Sequence, residues 1–385
     1  MAARKARAHI AGMVALAIGV LVPAVPARAI TGEGEDIEKQ ADSLTSDKAD
    51  GLDLLVFPVP ISNPTSGAGL AIGALGFYNP NDAPTPWITG VGAVYTENGT
   101  RGIGAFHSMS LDDDHYRIRL IGVHGDAKKR FYGIGADAGD RDRFIHLDDK
   151  ITLIRLQGQV RVAPHFYVGP RFEFRSEKNR LDPPDDDTPP TGPPVTPPDL
   201  GIGTDLSSLG LALSYDRRDD SLNPRRGVYV ASYLGFNLKA LGSDYSHSRF
   251  TISGSIYRPL GDKTVFAARS SLCSVSDGAP FFDLCNFGAG GDLRGYTAGR
   301  YRDRASWAIQ AEVRQHLFRR FGGVVFAGVG GIAPKLGDIG DSRLLPAAGA
   351  GIRFLVSKSN NVNLRVDFAV GRDSHGLYVG VGESF

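Results

Sequence analysis

After its first 29 residues the chain has no apolar run near the ~18 residues a membrane-crossing helix needs, which excludes a helical membrane protein. It has almost no net charge: 43 Lys and Arg against 42 Asp and Glu leave +1, so charge balance implies neither nucleic acid nor an acidic polymer as partner. It has only two cysteines, Cys273 and Cys285, and nothing with the spacing of a metal site. The nine histidines are scattered. His107, His115, His124 and His165 fall on or beside alternating segments, but nothing groups them, and no serine-centred elbow occurs. No catalytic, cofactor-binding or metal-ligating residue is therefore assigned, and the chain does not read as an enzyme.

What is present begins with a leader. Arg4, Lys5 and Arg7 precede an apolar stretch from Ile10 to Val22, and Ala27-Arg28-Ala29 offers small residues for cleavage. Residues 1–29 thus read as a signal peptide, with Ile30 the new N-terminus. Pro23 and Pro26 interrupt the stretch and argue against an anchor. Residues 30–65 read as a short periplasmic segment, polar and acidic up to Gly51.

From Gly67 onward the period is two, the mark of strands with one apolar face. Phe166, Val168, Pro170, Phe172 and Phe174 alternate with Tyr167, Gly169, Arg171, Glu173 and Arg175. Trp307, Ile309, Ala311 and Val313 alternate with Gln310, Glu312 and Arg314; Val362, Leu364, Val366, Phe368 and Val370 alternate with Asn363, Arg365 and Asp367. The second face carries too many charges for a packed core, as a soluble sandwich would need, but suits a wet lumen with the apolar face in lipid. Sixteen strands are expected, near residues 66–78, 85–96, 100–110, 114–124, 127–137, 150–162, 165–176, 206–217, 226–238, 246–258, 262–273, 304–316, 321–330, 344–356, 361–371 and 375–385. The longest connections, 178–205 and 274–303, both follow odd-numbered strands, whereas turns such as Ala163-Pro164 follow even ones. With both termini periplasmic, long loops face outward and short turns inward, as in single-chain outer-membrane barrels. The fold class is all-β: a transmembrane antiparallel β-barrel over residues 66–385, in the bacterial outer membrane.

Two loops stand out. Residues 178–205 are dominated by proline and aspartate and read as an extended surface spacer, with an occluding lid as the alternative. Residues 274–303 hold Leu293-Arg294-Gly295-Tyr296. Cys273 and Cys285, twelve apart, read as a disulfide clamping that loop, with two unpaired thiols as the alternative. The charged turn 216–226 reads as a solvated turn closed by Asn223-Pro224 and Gly227, with a docking site for a periplasmic partner as the alternative.

Phe131-Tyr-Gly-Ile-Gly135, the segment Leu209–Gly227 with its Tyr-Asp-x-Arg-Asp, the Leu293–Tyr296 motif, Ala348-Gly-Ala-Gly-Ile-Arg-Phe354 and the ending Val381-Gly-Glu-Ser-Phe385 occur in an order that resembles the BamA/TamA superfamily, the bacterial surface antigen family. The resemblance implies that the long loop folds into the lumen and that Arg294 meets acidic residues on the wall, Glu312 among them. It also implies that Phe385 serves as a C-terminal assembly signal. The family's further Asp on the next strand is replaced here by Gly328, which predicts a more loosely held loop. The 30–51 segment cannot hold even one periplasmic polypeptide-transport-associated (POTRA) domain, so a barrel-only member is expected. Its implied role is outer-membrane biogenesis by insertion or translocation of protein or lipid, through a weak seam made pliable by the glycines of 67–76. The alternative is a passive channel or structural barrel. Implied partners are outer-membrane lipids and lipopolysaccharide, the host outer-membrane assembly machinery, and unfolded outer-membrane protein clients or separate periplasmic proteins.

Overall fold

The computed structural model describes residues 53–63, 65, 67–81, 87–182, 203–220, 223–288, 292–357 and 361–385. The proposed signal peptide and most of the proline-rich loop lie outside these. Sixteen strands form one antiparallel sheet in which each pairs with the next in sequence. They are β1 (Asp53–Asn63), β2 (Gly67–Tyr78), β3 (Trp87–Thr96), β4 (Arg101–Leu111), β5 (Tyr116–Phe131), β6 (Ile145–Ala163), β7 (Phe166–Leu181) and β8 (Gly203–Asp216). β9 (Gly227–Asn237), β10 (His247–Pro259), β11 (Thr264–Val275), β12 (Ala305–Phe318), β13 (Phe321–Ala333), β14 (Leu345–Ser357), β15 (Val362–Gly371) and β16 (Ser374–Val381) complete the sheet. One short helix, α1 (Ala136–Asp140), sits in the β5–β6 connection. Among the described residues no helix is long and apolar enough to cross a membrane.

The expected count of sixteen survives through two offsetting differences. The strands expected at 114–124 and 127–137 are one strand, β5, because Gly125 and Asp126 stay extended and pair on both sides, with Gly102 and Arg101 and with Ile151 and Lys150. A strand not expected at all, β1, occupies the segment read as periplasmic. Its Pro58 and Pro60 weigh against a strand, yet proline is compatible with a strand's unpaired edge. The glycine-rich 67–76 segment is accordingly the second strand rather than the first.

Outward side chains are apolar, as membrane contact demands: Ile72, Ile103, Leu211, Val325 and Phe368 are all exposed. The inner face is not uniformly wet. On β2 and on β4 to β6, Leu75, Phe106, Ile121, Val123, Ile151 and Leu153 form an apolar inner lining, whereas arginine, glutamine and carboxylates dominate further round.

β1 and β16 lie side by side, yet no ladder joins them among the described residues. The β1–β2 ladder runs unbroken from Asp53 to Asn63. Pro58 and Pro60, two apart, must therefore direct their missing N–H positions to the free edge, because a proline cannot donate to the paired one. Leu364 and Val379, on the outer face of the last hairpin, pack on Leu75 of β2's inner face. The sheet's ends overlap there instead of zipping.

Candidate functional site: a lumen loop pinned from opposite walls

The connection between β11 and β12 turns back into the barrel. Cys273, at the end of β11, is joined to Cys285 in a disulfide with Cα atoms 5.8 Å apart. Cys285-Asn286 then pair with Arg302-Asp303, so the loop's two limbs form their own small ladder. Phe287, Leu293, Tyr296 and Tyr301 pack with Ala308, Ile332 and Leu345 in a cluster that is apolar and almost wholly buried. The loop thus has a core of its own against the wall of β12 to β14.

Arg294 stands at the end of this core and is only 1 % exposed. Its Nη1 donates to Asp367 Oδ2 at 2.6 Å, its Nη2 donates to Glu312, and its Nε donates to Gln310 Oε1 at 3.3 Å. The guanidinium lies 3.5 Å above the centre of the Phe326 ring. Glu312 and Asp367 are themselves shared, with Arg314 Nε at 2.6 Å on Glu312 and Arg353 Nη1 at 2.5 Å on Asp367. Arg353 and Arg314 in turn reach Glu383, at 2.7 and 3.6 Å. Every charge of this network faces an opposite one, the condition under which buried ions are tolerated.

The glycines around Arg294 are explained by close approach. A Cβ on Gly351 would fall 1.9 Å from Asp367 Oδ1, and one on Gly349 would fall 2.3 Å from the Phe326 ring. The Gly-Ala-Gly of β14 clears space for both the carboxylate and the ring that hold the arginine. Gly295 has φ +114°, in the region that favours glycine, and its N–H donates to Tyr378 Oη at 2.8 Å.

Gly328 was expected to loosen the loop, and here the structure differs. A Cβ at Gly328 would fall 2.5 Å from Leu293 Cδ1, so the missing side chain is the space Leu293 occupies. The second carboxylate comes instead from Asp367, on β15. The Val362–Val370 alternation had already put Asp367 on the lumen face, but nothing in that pattern said which lumen carboxylate would reach the loop.

The loop's second anchor has the opposite sign. Asp283, in the turn before Cys285, accepts from His247 Nε2 at 2.6 Å and lies 3.4 Å from both Arg175 Nη1 and Arg249 Nη1. Burial pushes its carboxyl up, but Arg249, His247 and Arg175 outweigh that and hold it down at about 2. Sequence reading missed this residue; its only signal was an acid near the cysteine. Burial pushes Arg302, in the loop's other limb, down to about 10. Outside, α1 covers the loop: Gly135 N donates to Arg302 O at 2.9 Å, and Tyr301 Oη donates to Asp140 at 2.8 Å.

The mouth at the short-turn end is crossed as well. Asn361, in the β14–β15 turn, donates to Asp220 at 2.8 Å, and Arg314 Nη1 donates to Pro224 O at 3.3 Å. The charged turn 216–226 therefore reaches across the opening instead of standing free in solvent. Phe385 is placed beside it: Arg314 Nη2 donates to its main-chain oxygen at 2.6 Å, and its ring centre lies 5.7 Å from the Arg314 guanidinium.

An antiparallel sixteen-stranded sheet, apolar outside, with a loop arginine pinned to carboxylates within, describes an outer-membrane barrel. A family model for the Omp85 superfamily domain matches residues 73–385, and the chain belongs to that superfamily. Among solved structures it is similar to BamA from Haemophilus ducreyi lacking POTRA domains 1-3, at 13 % identity and TM-score 0.57, covering 87 % of this chain and 71 % of that one. It is also similar to CdiB from Escherichia coli, at 12 % identity and TM-score 0.58, covering 93 % and 74 %. CdiB from Acinetobacter baumannii follows at 10 % identity and TM-score 0.52, covering 94 % and 74 %. Comparison with curated protein sequences gives no match. At these identities the structural likeness carries the fold alone.

Proposed function

We propose that this barrel acts in outer-membrane biogenesis, inserting or translocating protein or lipid at its seam, and not as an enzyme. One observation carries the reading: among the described residues β1 and β16 adjoin without pairing, while the other fifteen neighbouring pairs of strands are zipped. Pro58 and Pro60 supply the cause, since an edge short of two donors pairs poorly with its neighbour. Such an edge can accept a client strand temporarily by backbone hydrogen bonds. A lumen crossed by a pinned loop above and a charged turn below suits a passive channel less well. The proposed export by a cleaved signal peptide brings the chain to the host assembly machinery, with Phe385 as the signal read there; outer-membrane lipid, lipopolysaccharide and separate periplasmic proteins are the proposed partners.

The test is the folding rate of an unfolded outer-membrane protein into liposomes containing the barrel. The wild type should accelerate folding, and Pro58→Thr/Pro60→Thr, which restores both donors, should accelerate it less. A correctly folded wild-type barrel that gives no acceleration would sink the proposal and leave the channel or structural barrel.

A further inference from the structure

A second region of the lumen gathers three arginines, and one of them, Arg269, meets no carboxylate among the described residues. A cavity of about 80 Å³ lies against the inner faces of β5 to β11. Arg119, Arg171 and Arg269 line it, and among the described residues the only carboxylate in its lining is Asp292 of the lumen loop. Asp292 Oδ2 accepts from Gly288 N at 3.2 Å, and its Oδ1 is buried without a hydrogen-bond donor. Glu173 of β7 is outside this lining and is taken by Arg155 at 2.6 Å.

Arg269 is the decisive residue. It is 5 % exposed, its Nε is buried without an acceptor, and among the described residues it makes no hydrogen bond or ion pair. A buried guanidinium in that condition is costly unless something anionic meets it. Its cross-strand neighbours are Ser255 and Gln310, neither of which carries a charge. Arg171 donates from Nε to Gln157 at 2.7 Å and stacks 4.4 Å over the Tyr233 ring. Ser214, Tyr229 and Ser271 add hydroxyls to the same lining.

We propose that this chamber binds a phosphate-bearing anion, with Arg269 as its principal contact and Arg119 and Arg171 completing the cationic side. Planar guanidinium forks match the tetrahedral oxygens of phosphate in pairs, and hydroxyls can donate to the remainder. The chemistry is shared by free phosphate and by the phosphate of a lipid headgroup. The proposal stands independently of the seam, because it needs neither strand opening nor a client.

The experiment measures binding of inorganic phosphate to the full chain in detergent, by calorimetry and by the unfolding temperature, against sodium chloride of equal ionic strength. Wild type should show saturable phosphate binding, weakened roughly tenfold or more in Arg269→Gln, as expected for loss of a charged hydrogen bond. Arg269→Lys should keep part of it, and Arg343→Gln, on the outer surface, should keep all of it. Unheated electrophoretic mobility verifies that each variant is a folded barrel. A second arm uses a short-chain phosphatidic acid below its micelle concentration. Tighter binding than phosphate, again dependent on Arg269, assigns the site to a lipid headgroup; equal or weaker binding assigns it to a free anion. Phosphate that does no more than chloride, or that binds Arg269→Gln as well as wild type, overturns the proposal.

Discussion

Arg294 and Arg269 are buried in one lumen, at 1 % and 5 % exposure, and their surroundings are opposite. Arg294 comes from the loop and meets Glu312 and Asp367, each already shared with a wall arginine. Arg269 comes from the wall and faces Ser255, Gln310 and open space. The same side chain is therefore a structural pin in one place and an unfilled charge in the other. The difference lies in which carboxylates the neighbouring strands supply, and it fixes what removing each arginine should do.

The largest effect is expected at Arg294. Arg294→Ala leaves Glu312 and Asp367 short of their central counter-ion, and breaking a buried network from one side costs about 3–5 kcal/mol. The loop should detach while the barrel remains, which limited proteolysis of intact liposomes would read as new cleavage between residues 276 and 304. Arg294→Lys should rescue only part, because a lysine cannot reach both carboxylates in fork geometry. A loop equally protected in Arg294→Ala would refute the pinning.

Opening the Cys273–Cys285 disulfide comes next. It closes a short loop at the foot of the insertion, and such a crosslink contributes roughly 3 kcal/mol through the unfolded ensemble. Cys273→Ser/Cys285→Ser should lower the loop's protection without abolishing it, since Arg294 and Asp283 still hold. Reduction of the wild type should reproduce the double variant.

Much of this was legible in the residues. The alternation around 166–174, 305–313 and 362–370 identified the lumen faces because lipid outside and ions inside leave a clean period of two. The Arg294–Glu312 pair was implied by the family resemblance, and the phase of β12 added only that Glu312 faces the lumen. What escaped has physical reasons. β1 was missed because Pro58 and Pro60 look like strand breakers, and only an edge position reconciles them with a ladder. Gly328 was misread because a missing carboxylate suggested a weaker grip, when the glycine makes room for Leu293 and Asp367 arrives from another strand. Asp283 and the arginine chamber depend on which faces meet across the barrel, which periodicity within one strand cannot convey.

Asp283 gives a smaller effect with a pH signature. Its carboxyl is held at about 2, below the ordinary 3.8, so it contributes stability above about pH 4 that is lost as pH falls through about 2. A shift of that size corresponds to roughly 2 kcal/mol. Loop protection in the wild type should decline between pH 4 and 2, and Asp283→Asn should be weaker at neutral pH and lack that decline. An unchanged acid profile in Asp283→Asn would assign the wild-type decline to other carboxylates.

Arg269→Gln should have the smallest effect on stability, and its sign is the sharpest contrast with Arg294. Removing a buried charge that has no partner relieves a desolvation cost instead of exposing one, so in phosphate-free buffer the variant should be as stable as wild type or slightly more so. The two arginines would then respond in opposite directions to loss of the same guanidinium. Adding phosphate should reverse the order, because only the wild type gains stability from a ligand that binds the folded state. If Arg269→Gln instead destabilises the barrel without phosphate as strongly as Arg294→Ala, then Arg269 is held by protein groups. In that case the chamber is part of the same balanced network as the loop.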